Sequence, residues 1–600
     1  MKTRSILLLF LVFFTSLIFA QWTNDPKLNT LIRDTTGDQV LSKLAINQQT
    51  GTGYISWFSD MSDLQFDVNM NVIDKDGYLL WGHDGLQVSD NPSMTWVTDY
   101  GLMIDDDNCA LLTTQDIRTG TSNVFAYRIN SDGDFLWGDD GLQLTNNTNF
   151  NPSPNIIQDH NGDYIIGWTE NYTIFSPTDT VNKSYIRFQK VKKDGTSPWD
   201  SAMVVINDTI NYMFLNFNFV LKPDNGYYMT FIGIYITDSV MPGQHSYMNI
   251  YVQNFDTNGD PLWDHPVSLE PDYHLSDDFY IYGDAYHHQD GGIIILWQSA
   301  DPWATVKMQH LDQDGNKLCG DWGTKVSNNP DHQQQDFATA YDADNDFVYV
   351  FWQDLYYDPY NPTYCSGILG QKFSADGTRL WSDTGSVFSP YICAPDTAQW
   401  PGGVATHPEG GAMAIYTVQY LTITGPDTVI NNFIYATRAD PDGEFEWDQE
   451  SIVVSDIVSS KGYYVLSEYT NGEWIASWSD SRNDLSSNNV GGIYAQNIIE
   501  DGTLGPLFIS NPAAINHNEL NVYPNPFSFE TTITFNLKAT NNVSCKLYNN
   551  KGSLVKTIPP GLFRRGNNKI TVSRDSLPSG VYHILLTTGN SVISKKVIIY

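Results

Sequence analysis

Short apolar runs broken by Asp-Gly or Asn-Gly recur along most of the chain. In Asn130-Ser131-Asp132-Gly133-Asp134-Phe135-Leu136-Trp137 an apolar run enters the turn, and Leu-Trp follows three residues after the glycine. Related turns centre on Gly77, Gly195, Gly259, Gly315, Gly377, Gly443 and Gly502. A tight hairpin turn needs positive φ, which glycine adopts without steric cost, so each of these predicts a β-hairpin. The spacings between successive glycines are 56, 62, 64, 56, 62, 66 and 59 residues. A period near 60 with about four strands per unit is the signature of a β-propeller.

One unit reads as strand A at 336–341, B at 347–352, C at 368–373 and D from Leu380-Trp381 to about Phe388. Turns A–B and C–D are short and rich in Gly, Asn and Asp, whereas B–C and D–A are longer. Segments 169–184, 233–247, 353–366 and 418–433 therefore read as long loops gathered at one end of the sheets, where binding usually resides. The eighth unit has Asp501-Gly502 but no Leu-Trp, while Gln21-Trp22 stands alone near the N-terminus. Residues 22–33 are expected to pair with the last unit and leave no open edge. The predicted fold is all-β: an eight-bladed propeller over 21–510, with seven blades as the alternative. A linker at 511–518 and a small β-sandwich at 519–600 follow.

Composition changes this picture in three places. The net charge of −37 argues against nucleic acid, whose phosphates would be repelled. Charge is also divided: from Glu519 onward there are ten Lys and Arg against three acids, whereas the stretch before it is strongly acidic, which marks two domains. Lys2 and Arg4, the apolar run from Ile6 to Phe14 and a small residue at Ala20 read as a signal peptide over 1–20. No other run is long and apolar enough for a membrane helix, so no transmembrane segment is expected in the mature chain.

The stretch after Pro512 follows a different grammar. It opens with Tyr523-Pro524-Asn525-Pro526, continues through Leu577-Pro578-Ser579-Gly580-Val581-Tyr582 and closes on Lys595-Lys596-Val597-Ile598-Ile599-Tyr600. On these motifs residues 519–600 resemble the C-terminal type A sorting domain of the Bacteroidetes type IX secretion system. The resemblance implies Sec export, passage through the outer membrane by the type IX machinery as partner, and release or surface attachment. The upstream repeats resemble propellers that such cargo carries, with no activity attached.

Candidate chemistry is sparse. Asp-x-Asp-Gly at Asp74/Asp76, Asp312/Asp314 and Asp440/Asp442 begins like a calcium loop but lacks the terminal bidentate Glu; turn chemistry accounts for it, so no metal or other cofactor is expected. Adjacent His287 and His288 point to opposite faces of a strand and are not read as one metal site. Acids follow several strand-B tryptophans: Asp60, Glu170, Asp301, Asp354 and Asp480. With Trp303, Tyr356, Tyr357 and Tyr360 they form a candidate surface for a glycan, peptide or surface protein. Asp99, Asp284 and Asp336 fall on innermost strands. Cys365 and Cys393 lie in successive connections at the same end and are a candidate disulfide; Cys109, Cys319 and Cys545 read as buried thiols, Cys319 in a tryptophan slot. No nucleotide loop, nucleophile elbow or zinc-protease motif occurs. The reading is a secreted or surface-attached binding or adhesion propeller with no assigned catalytic residue. Its alternative is a propeller glycoside hydrolase or lyase acting on extracellular polysaccharide.

Overall fold

The computed structural model describes residues 22–600 except 36, 63–64, 94–98, 176–179, 200, 205–211, 237–245, 272–273, 276–280, 301–302, 361, 425–426, 484–490, 507–519, 538–540, 550–553, 565 and 589–590. The segments read from sequence as a signal peptide (1–20) and a linker (511–518) lie outside the described residues. Two compact units divide between Pro506 and Leu507. All regular structure among the described residues is β.

The first unit contains eight antiparallel sheets among the described residues, seven of them with four or five strands that follow chain order. The first sheet, for example, has strands Gln39–Ile46, Gly53–Ser62, Gln65–Ile73 and Leu86–Ser93. The eighth differs. Its strands Lys461–Leu466, Glu473–Asp480 and Gly492–Ile499 are completed by the N-terminal strand Thr30–Arg33, which pairs antiparallel with the last, Thr30 opposite Ala495.

Second strands are apolar on both faces, and consecutive residues feed different cores. Ile293 and Ile295 pack toward the fourth sheet, Ile294 and Leu296 toward the sixth. Eight such clusters lie between consecutive sheets, and the one built on Trp22, Ile32, Ile475 and Ile493 joins the eighth sheet to Ile55, Trp57 and Ile73 of the first.

The recurring turn explains how neighbouring sheets keep register. In the Asp74 turn one carboxylate oxygen accepts the backbone N–H of Asp76 and Tyr78, both at 2.9 Å, and Gly77 adopts φ +87°. The carboxylates of Asp312 and Asp440 do the same. Above each turn lies the tryptophan of the preceding repeat. Trp81 donates its indole N–H to Ser131 O, Trp137 to Lys193 O, Trp263 to Gln313 O, Trp381 to Pro441 O and Trp447 to Glu500 O, at 2.8–3.1 Å. Each acceptor stands two residues before the turn glycine. At several of these glycines a side chain would strike the indole: a Cβ at Gly443 would approach Trp381 to 2.7 Å and one at Gly502 Trp447 to 2.9 Å, whereas at Gly133 it would meet Trp81 at 3.8 Å. Trp22 bonds Lys75 O at 3.0 Å over Gly77 and so fills the slot that the eighth repeat lacks. Cys319 takes the slot over Gly377, a thiol in place of an indole.

Two sequence expectations need correction. Leu-Trp does not begin strand D; in the sixth sheet that strand is Ser386–Ile392, and Leu380-Trp381 lies in the connection before it, with leucine exposed and indole packed on the next turn. Among the described residues the long B–C segments are not loops either, although 237–245 of the segment 233–247 lies outside them. They are hairpin extensions such as Tyr164–Phe175 with Thr180–Val191 and Ala412–Thr424 with Asp427–Ala439, because β-branched and aromatic residues keep alternating past the sheet edge.

The second unit has two sheets. One contains Asn521–Tyr523, Glu530–Leu537 and Gly566–Ser573; the other contains Leu554–Phe563, Asn541–Asn549, Gly580–Thr588 and Ser591–Ile599. Ile533, Phe535 and Ile570 from the first share a core with Leu547, Ile584 and Val597 from the second. Asn525 ties the opening motif to the last strand through Lys596 O (2.9 Å) and the Ile598 N–H (2.8 Å).

Two measurements check this account. Trp22→Ala removes a buried indole that joins first and last sheets, and should cost about 3–5 kcal/mol in urea unfolding of the full chain; a loss below about 1 kcal/mol would show that Trp22 does not hold the closure. The second concerns Glu473, buried with one oxygen accepting Asn497 Nδ2 (2.6 Å) and the other without a hydrogen-bond partner among the described residues. Burial pushes its carboxyl up from 4.5 to about 8. The folded state therefore holds a proton that the unfolded chain releases, and stability is lost as pH rises from about 4.5 through 8. Glu473→Gln should flatten the decline in urea midpoint between pH 5 and 8; an unchanged slope would refute it.

Candidate functional site

Most of the sequence-nominated residues that come together do so on one hairpin of the sixth sheet, formed by Phe347–Asp358 and Thr363–Ser374. Successive residues of the outgoing strand face opposite sides. Trp352, Asp354 and Tyr356 share one side, and Tyr357 opposes Tyr364 on the other. Asp354 is fully buried. It accepts the indole N–H of Trp352 (3.0 Å) and the hydroxyl of Tyr391 (2.9 Å), and contacts Nδ1 of His332. The His332 ring is stacked on Tyr356 with centroids 4.8 Å apart, and Tyr391 meets Tyr356 edge-on at 5.1 Å. Cys365 and Cys393 are joined as a disulfide, and the Tyr356 hydroxyl lies 3.7 Å from Cys393 Sγ.

This internal cluster holds out an aromatic surface. Tyr357 is 51% exposed, Tyr364 54% and Tyr360, near the hairpin tip, 97%. Tyr357 and Tyr364 pair edge-on at 5.4 Å across the hairpin. Rings presented this way offer apolar faces to a sugar ring or a peptide side chain while their hydroxyls stay in water.

The other acids have different roles from the one expected of a common surface. Glu170 is buried, paired with Arg187 and bonded by Asn149 Nδ2 at 2.9 Å. Asp480 accepts Trp478 Nε1 at 2.9 Å, Ser459 Oγ at 2.7 Å and Arg482 Nη2 at 2.6 Å. Burial works to raise its carboxyl, yet Arg482 and the Lys461 ammonium 3.9 Å away hold it below its ordinary value. In Trp352-x-Asp354, Trp168-x-Glu170 and Trp478-x-Asp480 the acid stands two residues after the indole and so on the same strand face. Such acids are committed inside the sheets. Asp60 is partly exposed and, with Asp38, Asp480, Lys461 and Tyr463, lines a cavity of about 420 Å³ between the first and eighth sheets. Desolvation lowers the Lys461 ammonium to about 8 despite Asp480. Trp303 is exposed; Asp301 lies outside the described residues.

Among the innermost-strand acids, Asp99 pairs with Lys43 at 2.8 Å. Asp284 and Asp336 sit where the ladders of their strands slip, between Tyr282 and Ala285 and between Gln335 and Phe337. Both are accessible, and desolvation pushes both carboxyls up. Thr339 Oγ1 donates to Asp284 Oδ2 at 2.8 Å. Sequence reasoning passed over one further group: His288 does not join His287 but lies against His310, 22 residues on, with ring centroids 4.5 Å apart.

The fold is that of an all-β protein whose upstream repeats resemble a β-propeller. Residues 521–600 match the secretion system C-terminal sorting domain family, so the chain carries a type IX sorting domain and is destined for the cell surface or the medium. No curated protein matches the chain. Solved structures similar to it include the GH93 α-L-arabinofuranosidase of Fusarium graminearum with arabinobiose, at 9% identity over 62% of this chain and 98% of that one, TM-score 0.30. A GH43_12 protein retrieved from a capybara gut metagenome is 8% identical over 97% and 91%, TM-score 0.27. The endo-arabinase of Bacteroides thetaiotaomicron is 12% identical over 56% and 92%, TM-score 0.22. None of these likenesses gives a residue of this chain a role. No described helix is long and apolar enough to cross a membrane.

The hairpin carries a direct check. With Cys365 and Cys393 joined, thiol titration of the denatured, unreduced protein should find three free thiols, those of Cys109, Cys319 and Cys545. A count of five would show that the hairpin is not cross-linked.

Proposed function

We propose that residues 22–506 form an eight-bladed β-propeller that acts outside the cell as a glycan-binding or adhesion module, delivered by the sorting domain at 521–600. The eight inter-sheet cores, the last of them returning to the first sheet, support the blade number. The observation that carries the binding reading is the exposed trio Tyr357, Tyr360 and Tyr364 on a hairpin braced by the Asp354–His332–Tyr391 cluster and the Cys365–Cys393 disulfide. Exposed aromatic side chains have low conformational freedom to lose, so fixing their base by packing favours binding. The nominated acids Glu170, Asp354 and Asp480 are occupied by internal partners, which favours a binding surface over a carboxylate-driven reaction there.

A second reading rests on Asp284 and Asp336. Accessible carboxyls pushed up by desolvation suit a general acid, and their place on neighbouring innermost strands would make the protein a hydrolase of extracellular polysaccharide. One experiment separates the two. The full chain is titrated with soluble plant and bacterial polysaccharides, and the products are followed by chromatography. Binding without product release is expected, weakened about tenfold or more by Tyr360→Ala or Tyr357→Ala, in keeping with about 1.4 kcal/mol or more from each ring. Product release abolished by Asp284→Asn or Asp336→Asn would replace the binding reading with the hydrolase, and binding indifferent to both tyrosine changes would remove the hairpin from the site.

A further inference from the structure

We propose that His288, Asp290 and His310 of the fifth sheet form a binding site for a first-row divalent transition ion of the zinc type. The site lies at the end of the sheet that carries its short turns, and it is independent of the glycan-binding reading. His288 and Asp290 stand on the turn between strands Ile281–His287 and Ile293–Ala300; His310 stands one residue before the end of the next strand, Ala304–Leu311. One donor atom from each residue lies within 4.8 Å of the other two. The histidines are 7% and 2% exposed, whereas Asp290 is open to solvent, which leaves an entry path.

The proton inventory argues for a cation between them. His310 Nδ1 lies 3.0 Å from Ala375 O. A carbonyl only accepts, so Nδ1 carries the proton and the lone pair of neutral His310 is at Nε2. That Nε2 lies 3.2 Å from Asp290 Oδ2, without hydrogen-bond alignment to any described group. His288 repeats the arrangement with its nitrogens exchanged. Nε2 lies 3.0 Å from Asp346 Oδ1, likewise without hydrogen-bond alignment to any described group, while Nδ1 accepts the backbone N–H of Asp290 at 3.4 Å and lies 2.7 Å from Asp290 Oδ1. In both rings one nitrogen lies 3.0 Å from an oxygen on the far side, Ala375 O or Asp346 Oδ1, and the other faces the Asp290 carboxylate. A nitrogen lone pair and a carboxylate oxygen at that distance need a proton or a metal ion between them. Imidazoles oriented by an outer carboxylate or carbonyl are how metal-binding histidines are held. Ligands about 2.0–2.1 Å from a tetrahedral zinc are roughly 3.3 Å from one another, so donor atoms lying within 4.8 Å of each other would close by about 1.5 Å at most. Asp346 is itself fixed by the Tyr341 hydroxyl at 2.9 Å.

The equivalent positions elsewhere sharpen the point. In the second sheet the turn residue is Asp105 and the strand residue Arg128, joined at 2.7 Å; in the third they are Asp159 and Lys190, also at 2.7 Å. Those pairs neutralise themselves. The fifth sheet replaces acid and base by two imidazoles and keeps a carboxylate, Asp290, where the second sheet has Asp107. A self-contained salt bridge has become a set of ligands that favours imidazole-binding ions over calcium or magnesium.

The test uses the full chain, free of affinity tags, titrated with zinc chloride by calorimetry and with cobalt(II) by visible absorption. One site should load, give the intense cobalt bands of a tetrahedral centre, and raise the thermal midpoint. His310→Ala and His288→Ala should lose the site, and Asp346→Asn should weaken it about tenfold or more. His287→Ala, which lines a cavity with Lys222 and Trp263 and is not among the three ligands, should bind as the parent does. Circular dichroism confirms folding of each variant, with His310→Gln as the substitute where alanine fails. Absence of cobalt bands, or equal uptake by folded His288 and His310 variants, would overturn the site and leave a protonated imidazole–carboxylate network in its place.

Discussion

An indole resting on a glycine is the contact from which this molecule is assembled. Most recurring turns expose a backbone carbonyl two residues before a glycine with positive φ, and a tryptophan from the preceding repeat lies across that glycine and bonds the carbonyl. The contact is directional, so it sets height and angle between sheets that otherwise meet through interchangeable Ile, Val and Leu. At several of these turns it also explains why glycine is needed twice over, for its backbone conformation and for the absence of a side chain beneath the indole.

Much of this was legible because hairpin turns demand particular residues. Asp-Gly spacing located the repeats, and the isolated Trp22 announced the residue missing from the eighth. Strand ends were harder to read. Leu380-Trp381 looks like the start of a strand because its residues are apolar, yet its indole serves the neighbouring repeat. The hairpin extensions looked like loops because repeats differ in length there. Acids following tryptophans looked like a surface because sequence does not display burial; a two-residue offset puts Asp354 beside the Trp352 indole, inside the sheet. His288 and His310 lay beyond reach because strand pairing, not local spacing, unites them. The available signal was positional: comparison of repeats finds histidines where others carry Asp105 with Arg128 or Asp159 with Lys190.

Conservation of scaffold and variation of surface are thus divided between the two ends of each sheet. The end with short turns is spent on register, with backbone-capping carboxylates and indole contacts in nearly every repeat. The other end carries hairpins of unequal length, and the sixth is the one that combines a disulfide, a buried aspartate and three exposed tyrosines. A type IX sorting domain delivers such a molecule to the cell surface or the medium.

The pairing of Thr30 with Ala495 has a consequence for how copies of the chain behave toward one another. Seven sheets are complete within their own stretch of sequence, but the eighth borrows its outermost strand from a segment more than 460 residues upstream. Until that segment arrives, the strand Gly492–Ile499 presents a free row of amide and carbonyl groups that the same segment from another molecule fits equally well. Crowded, partly folded chains can therefore exchange N-terminal arms and become linked, which makes the four residues Thr30–Arg33 a latch against strand-swapped assembly as well as a clasp.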